Sequence, residues 1–240
     1  MLGCTCAVCR STDPRDRRTR SSVLIRSAAG NLLIDTAPDL RTQLLRERID
    51  MVHAVAYTHH HADHVFGLDD VRVFCASLGA MPIYCEPTTE DFIRRAFAYV
   101  FDPIVRQYPA GGVPSLEFRR LDRPSVRVLD HDLAAIPLRH GRYDCMGFRV
   151  GDLAYCTDVN EIPESSWPLL AGLDTLILDA LRFEPHPAHF CLAEALAVVE
   201  RLRPRRTFLT HISCRLTPER ARALLPAGVE LAYDGLRLSF

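Results

Sequence analysis

A largely apolar run from Val52 to Tyr57 ends in Thr58 and leads directly into His59-His60-His61-Ala62-Asp63-His64. No other stretch so narrows what this chain can fold into. So many adjacent polar rings do not suit a core, and a solvated surface is more often built from Lys or Glu. Imidazole and carboxylate together form the ligand set for Zn, Mn and Fe. The apolar run reads as a buried strand. The cluster therefore stands at a strand's C-terminal end, where α/β folds place their active sites.

One frame fits a two-metal pattern of the form His-x-His-x-Asp-His, using His59, His61, Asp63 and His64. A frame one residue later needs a ligand at Ala62, which has none. Side chains alternate along an extended segment, so His60 falls opposite His59 and His61. His59 and His61 can chelate one ion. Asp63 and His64, past the turn at a helix start, can face a second. The alternative is a solvent-facing His-rich turn or a chance, adventitious metal site.

The surrounding chain reads as an ordinary packed protein. Its 240 residues suffice for one large domain or two small ones, and 48% hydrophobic content predicts a core. The net charge of −1 argues against a broad nucleic-acid footprint. All basic residues are Arg, which carries no functional message. No apolar run reaches spanning length and no signal peptide precedes Cys4, so a cytoplasmic protein is expected. Nine Cys is an odd count that suits a reducing compartment with buried and metal-bound thiols.

Periodicity predicts a hairpin over residues 23–26 and 32–35, a helix over 38–48, the strand 52–57, and one helix over 63–78. A strand at 82–85 and a helix over 88–100, capped by Thr88 or Thr89, follow. Residues 101–114 are broken by Pro and Gly and read as a loop, either a lid or an ordinary surface connection. Short strands are predicted near 116–120, 126–129, 133–138, 147–150 and 153–157, then a short helix at 163–170 and a strand at 175–179. A helix over 191–203, a strand at 207–210, a helix over 218–225, and strands at 229–232 and 236–240 complete the chain. Two groups of strands, each with helices, suggest two sheets packed face to face with helices outside.

Two ions need more ligands than the cluster supplies. His140, Asp158 and His211 each lie just beyond an apolar run, as His59 does. With Thr58, Thr157-Asp158, His140-Gly141 and Thr210-His211 in place, the set resembles the metallo-β-lactamase superfamily of binuclear hydrolases. Leu33-Ile34-Asp35-Thr36 is similar to that superfamily's early strand ending in a structural Asp. The resemblance implies an α/β (α+β) class fold, a four-layer αββα sandwich over residues 1–240 as one domain. It implies His59, His61 and His140 on one ion, Asp63, His64 and His211 on the other, and Asp158 bridging them. His61 stands where the oxygen-reducing di-iron branch carries Glu, which points to hydrolysis.

Gly3-Cys4-Thr5-Cys6-Ala7-Val8-Cys9 supplies three thiols that can wrap one Zn, leaving one tetrahedral position. Cys214, three residues after His211, can fill it, making residues 1–10 a structural zinc segment with Cys4, Cys6, Cys9 and Cys214 as ligands; free N-terminal thiols are the other reading. This pairing resembles the phosphodiesterases of the carbon–phosphorus lyase pathway, which hydrolyse a phosphoribosyl cyclic phosphate. In that family the fourth zinc ligand is commonly His. The resemblance also maps the family's catalytic His onto His189, with His186 beside it, and makes His189, Asp158 and Asp63 the catalytic set. Relatives begin with a strand and a Gly-Thr-Gly turn that this chain lacks. If Met1 is internal to a longer reading frame, a bare sheet edge would pair with another chain, and a homodimer is the corresponding expectation.

The implied function is hydrolysis of a small, cyclic phosphate ester with two divalent ions, Zn or Mn, and one structural Zn. Arg142, Tyr143, Arg182 and Arg215 lie near the expected site loops, where each is either a phosphate contact or an ordinary surface residue. A tRNA 3′-processing nuclease, a thioester or lactam hydrolase, and a non-catalytic zinc protein are the competing readings. Cys75, Cys85, Cys145, Cys156 and Cys191 follow no ligand spacing and are expected to be buried small hydrophobes.

Overall fold

The computed structural model describes residues 1–105, 112–121 and 125–240. The chain divides into two compact units, Arg20–Leu133 and Met1–Thr19 with Ala134–Phe240.

In the first unit, β1 (Val23–Ser27) and β2 (Gly30–Ile34) form the antiparallel hairpin that the alternation predicts. Gly30 sits at φ 142, and a Cβ there would lie 2.7 Å from the His53 ring, so the turn requires glycine. The helix α1 (Leu40–Glu47) ends on Arg48 in the left-handed region and returns the chain to β3 (Ala54–Ala56). After β4 (Met81–Cys85), helix α4 (Pro87–Ala96) and β5 (Leu116–Arg120) follow. The sheet order is β1-β2-β3-β4-β5. From β2 onward all pairs are parallel, which explains why β3 reads as a continuous apolar run: its three residues are all buried. Leu33, Val55, Tyr57, Met81 and Ile83 pack with Leu40, Val65, Leu68 and Ile93 in one core.

Two expectations fail here. The helix predicted over 63–78 is three pieces: α2 (Ala62–Val65), a 3₁₀ turn (Leu68–Val71) and α3 (Arg72–Leu78). The break is at Gly67, whose N–H donates to the Thr36 carbonyl at 2.8 Å. A Cβ at Gly67 would lie 2.1 Å from the Ala37 carbonyl oxygen. The chain after β2 thus takes the hydrogen bonds that a continuous helix needs. Gly67→Ala should therefore destabilise the protein by about 2 kcal/mol or more, because backbone has to move. A denaturant midpoint equal to that of the wild type would show that the approach is not tight. Helix α4 also starts earlier than predicted: Glu86 is its N-cap and Pro87 its first residue, a position for which the fixed φ of proline is already suited.

The second unit holds most of the sheet ordered β12-β11-β10-β9-β8-β7-β6. Here β6 is Ser125–Val128, β7 His131–His140, β8 Tyr143–Val150, β9 Leu153–Cys156, β10 Thr175–Asp179, β11 Arg206–Thr210 and β12 Val229–Leu231; β6 and the start of β7 are counted with the first unit. A 3₁₀ segment (Glu164–Leu170) lies between β9 and β10, α5 (Leu192–Leu202) between β10 and β11, and α6 (Pro218–Arg222) between β11 and β12. β9, β10, β11 and β12 run parallel, so their carboxyl ends open on one edge. Register places Leu178 beside Cys156 and Asp179 beside Thr210. Ile136, Leu138, Leu176, Leu178 and Leu209 pack with Leu192, Ala195 and Val198 of α5 in the core of this unit.

Residues 236–240 are not the strand that their alternation suggests. Gly235 takes φ 83, and Leu236 N–H donates back to Tyr233 in a turn. Arg206 then holds the Ser239 carbonyl at 2.7 Å, which serves backbone that a ladder would otherwise pair. No strand precedes β1 among the described residues, and residues 1–22 are irregular apart from a 3₁₀ turn at Pro14–Asp16. The predicted loop 101–114 falls partly on residues outside those described.

Candidate metal centre

In the first unit, the cluster is organised around Asp35 at the end of β2. Asp35 is fully buried and adopts φ 63, uncommon for a residue with a side chain. Its carboxylate accepts from the Thr58 N–H (2.8 Å), the Thr58 hydroxyl (2.8 Å) and His64 Nδ1 (2.7 Å). Since the Thr58 hydroxyl donates to Asp35, it accepts from His59 Nδ1 at 3.0 Å. Both imidazoles thereby direct Nε2 away from Asp35, the tautomer a metal ligand needs. Burial pushes the Asp35 carboxyl above its usual range, and the His64 and Thr58 contacts only partly oppose this. The Asp35 of the sequence reading is thus an orienting residue behind the ligands.

His59 and His61 bring ligand atoms within 4.8 Å of one another, as do Asp63 and His64. The His59 and His61 rings are 4.5 Å apart, and His59 and His64 4.3 Å. His60 directs its ring toward Phe92 at 5.4 Å, outside the frame. Its pKa is lowered by burial and by the neighbouring His61 and Arg95 charges.

In the second unit, three strand ends supply the corresponding groups. His140 is the last residue of β7, Asp158 lies just past β9, and His211 just past β11. His140 Nδ1 donates to the Ala188 carbonyl at 2.6 Å, which directs Nε2 the other way. The Asp158 carboxylate is divided: Oδ2 lies 3.8 Å from His140 Nε2, and Oδ1 3.4 Å from His211 Nε2. Thr157 Oγ1 donates to Oδ1 at 2.8 Å. Asp158 at φ 51 and His211 at φ 54 are both left-handed. Such strain on non-glycine residues concentrates at functional sites.

Beneath them lies Asp179, the last residue of β10, which the sequence by itself marks only as a strand end. It is fully buried and accepts from Val159 N–H (3.0 Å) and His189 Nδ1 (2.8 Å). Its second oxygen is 4.0 Å from His211 Nδ1. Burial pushes its carboxyl up, with His189 and His211 opposing. The His189 ring stacks on His211 at 4.7 Å and lies 4.6 Å from His140 and 5.0 Å from His186. Its signal is legible in the sequence: Leu178-Asp179 ends an apolar run as Asp158 and His211 do.

The predicted substrate contacts fare unevenly. The His186 pKa is lowered, first by burial and then by His189 and Arg182. Arg182 engages the Glu184 and Pro185 carbonyls at 3.1 and 2.6 Å, so most of its guanidinium serves its own loop. Arg142 and Tyr143 are exposed at the β7–β8 turn, and Arg215 is exposed after Cys214.

The four thiols of Cys4, Cys6, Cys9 and Cys214 all lie within 4.8 Å of one another. Cys4 and Cys214 are 3.9 Å apart across 210 residues of chain. A tetrahedral zinc with bonds of about 2.3 Å spaces its sulfurs by about 3.8 Å, so the donor set fits that ion. The Cys9 N–H, the largest influence on Cys6, and contact with Cys4 lower the Cys6 thiol to about 7. Burial and the surrounding thiols push Cys214 to about 12. Cys75, Cys85, Cys145, Cys156 and Cys191 are buried, as expected, and none forms a disulfide among the described residues.

The family model described as "Beta-lactamase superfamily domain" matches residues 30–212. A solved structure described as a new diphosphatase from the PhnP family is 40% identical, with a TM-score of 0.91 over 100% of this chain and 91% of that one. A curated relative from Porphyromonas gingivalis (strain ATCC BAA-308 / W83), named octanoyltransferase, is 36% identical over 98% of this chain. The chain spans about half of that relative, 48% of its length. Zn²⁺-bound PqqB from Methylobacterium extorquens, at 21% identity and a TM-score of 0.77 over 100% of this chain and 95% of that one, shares the fold. With the match running through both units and the identity extending over the whole length, the chain belongs to the beta-lactamase superfamily and resembles the PhnP family.

Proposed function

We propose that the protein is a binuclear phosphodiesterase acting on a small, cyclic phosphate ester of the phosphoribosyl 1,2-cyclic phosphate type. The observation that carries this reading is Asp158, which offers one carboxylate oxygen toward His140 and the other toward His211. A carboxylate so divided suits a bridge between two cations. Following the family resemblance, His59, His61 and His140 would hold one divalent ion, and Asp63, His64 and His211 the other, as ligands from one domain spanning residues 1–240. Such ions, Zn or Mn, polarise a phosphoryl oxygen and make water nucleophilic at neutral pH.

The chain's own groups supply orientation and protons. Asp35 fixes the His64 tautomer directly and that of His59 through Thr58. Asp179 holds His189 through Nδ1, leaving Nε2 to protonate the departing alkoxide. His186, Arg142 and Arg182 border this position in the proposal as weak contacts to the ester. The diphosphatase name of the 40% identical neighbour supports phosphoryl chemistry.

Hydrolysis of bis-nitrophenyl phosphate, a thioester and a cephalosporin, with Mn and Zn supplied separately, tests the reading. Turnover of the phosphodiester well above the other two is expected, and preference for the thioester would overturn it. The octanoyltransferase name favours a second reading, hydrolysis of an octanoyl thioester, which the same panel decides.

We also propose one structural zinc on Cys4, Cys6, Cys9 and Cys214. Cys214→Ser should remove one zinc per chain and lower Tm by roughly 5 °C or more. Unchanged zinc content would refute the site. No helix among the described residues is long and apolar enough to cross a membrane; nine cysteines that form no disulfide among the described residues favour a reducing cytoplasm. β1 ends its sheet order, and a homodimer through that edge would appear in sedimentation.

A further inference from the structure

The second unit contains a cleft of about 250 Å³ lined by Arg15, Arg18, Arg222, Glu230 and Tyr233, among others. None of the His and Asp residues of the metal centre borders it. Arg15 and Arg18 come from the irregular N-terminal segment, Arg222 from α6, and Tyr233 from the chain just past β12. The segment is secured there by Thr19, whose N–H donates to Asp234 Oδ2 at 3.1 Å, and by Arg18, which reaches the Ala232 carbonyl at 3.5 Å.

Three guanidinium groups in one cleft repel unless anions balance them. The balance in the chain is thin. Arg18 is the most enclosed, and its ion pair with Asp16 is long at 3.7 Å. Its Nε is buried and makes no hydrogen bond among the described residues. Burial lowers its pKa, and the nearby Arg222 charge acts in the same direction, opposed by Asp16 and Asp234. Arg15 lies over the Tyr233 ring at 5.1 Å, a contact that orients a guanidinium without neutralising it. Glu230 lines the cleft but is exposed. A guanidinium fork matches tetrahedral oxyanions in charge and in donor spacing.

We propose that this cleft is a binding site for a phosphate-type anion, with Arg18 as its enclosed donor and Arg15 and Arg222 as its walls. Because two of the three arginines belong to the segment that carries Cys4, Cys6 and Cys9, an occupant would pin that segment to α6 and the chain past β12. The source of the anion is free phosphate or the phosphoryl group of a phosphomonoester.

Calorimetric titration of the metal-loaded protein with inorganic phosphate, and separately with ribose 5-phosphate, tests the site. The metal centre also attracts phosphate, so the comparison is with Arg18→Gln and Arg222→Gln, neither of which touches it. The wild type should show one more binding event per chain than either variant, or at least about ten-fold tighter binding in it, consistent with loss of a charge-assisted donor. Hydrolytic activity should be the same in all three. Loss of both ligands in the variants assigns the site to a bare phosphoryl group; loss of ribose 5-phosphate alone assigns it to a monoester. Isotherms that coincide for wild type and variants with both ligands overturn the proposal. Arg222 is exposed, so its variant decides the matter even if Arg18→Gln fails to fold.

Discussion

Asp158→Asn is expected to lower kcat/KM for a phosphodiester by about 10³-fold or more, equivalent to roughly 4 kcal/mol of transition-state stabilisation. Asparagine is the informative replacement. Asp158 sits at φ 51, where Asn is tolerated and a bulkier or β-branched residue is not. The variant should therefore fold while losing the negative charge that faces His140 and His211. Metal analysis is the second readout: occupancy of the active-site ions should fall with the rate. Two active-site ions per chain in a correctly folded Asp158→Asn protein would remove the bridging role.

His189→Ala should show a rate loss that depends on the leaving group. General acid catalysis contributes about 10² to 10⁴-fold where the departing oxygen is a poor leaving group. An alkyl ester should lose that much, whereas a nitrophenyl ester, which departs without protonation, should lose less than about ten-fold. Asp179→Asn should shift both substrates in the same order by smaller factors, since Asp179 acts through the His189 Nδ1 contact of 2.8 Å. Equal losses on the two esters would exclude proton donation by His189 and leave it a packing role against His211 and His140.

Local pattern carried much of the fold. Strands β4, β5, β9, β10 and β11 lie where periodicity places them to within a residue or so, because each is buried on both faces or bounded by Gly, Pro or polar residues. The failures share a cause. The helix over 63–78 breaks because Gly67 is held against Thr36 and Ala37, which lie some thirty residues earlier. The C-terminal strand fails because a turn at Gly235 and the Arg206 side chain serve its backbone instead. In both, a partner distant in sequence outweighed local propensity.

The chain's residue types and spacings by themselves determined which groups can bind cations: His59, His61, Asp63 and His64 in one frame, His140, Asp158 and His211 at strand ends, and three closely spaced N-terminal thiols. Those properties are local, so they are visible in one dimension. Only the tertiary structure decided that Asp179 stands behind His189, that Cys214 reaches Cys4 across 210 residues, and that arginines from the N-terminal segment and from α6 share a cleft. Each depends on the parallel register of β9 to β12 and on where the N-terminal segment lies. Those are set by burial of whole strands and helices, a sum over many distant contacts that no short motif records.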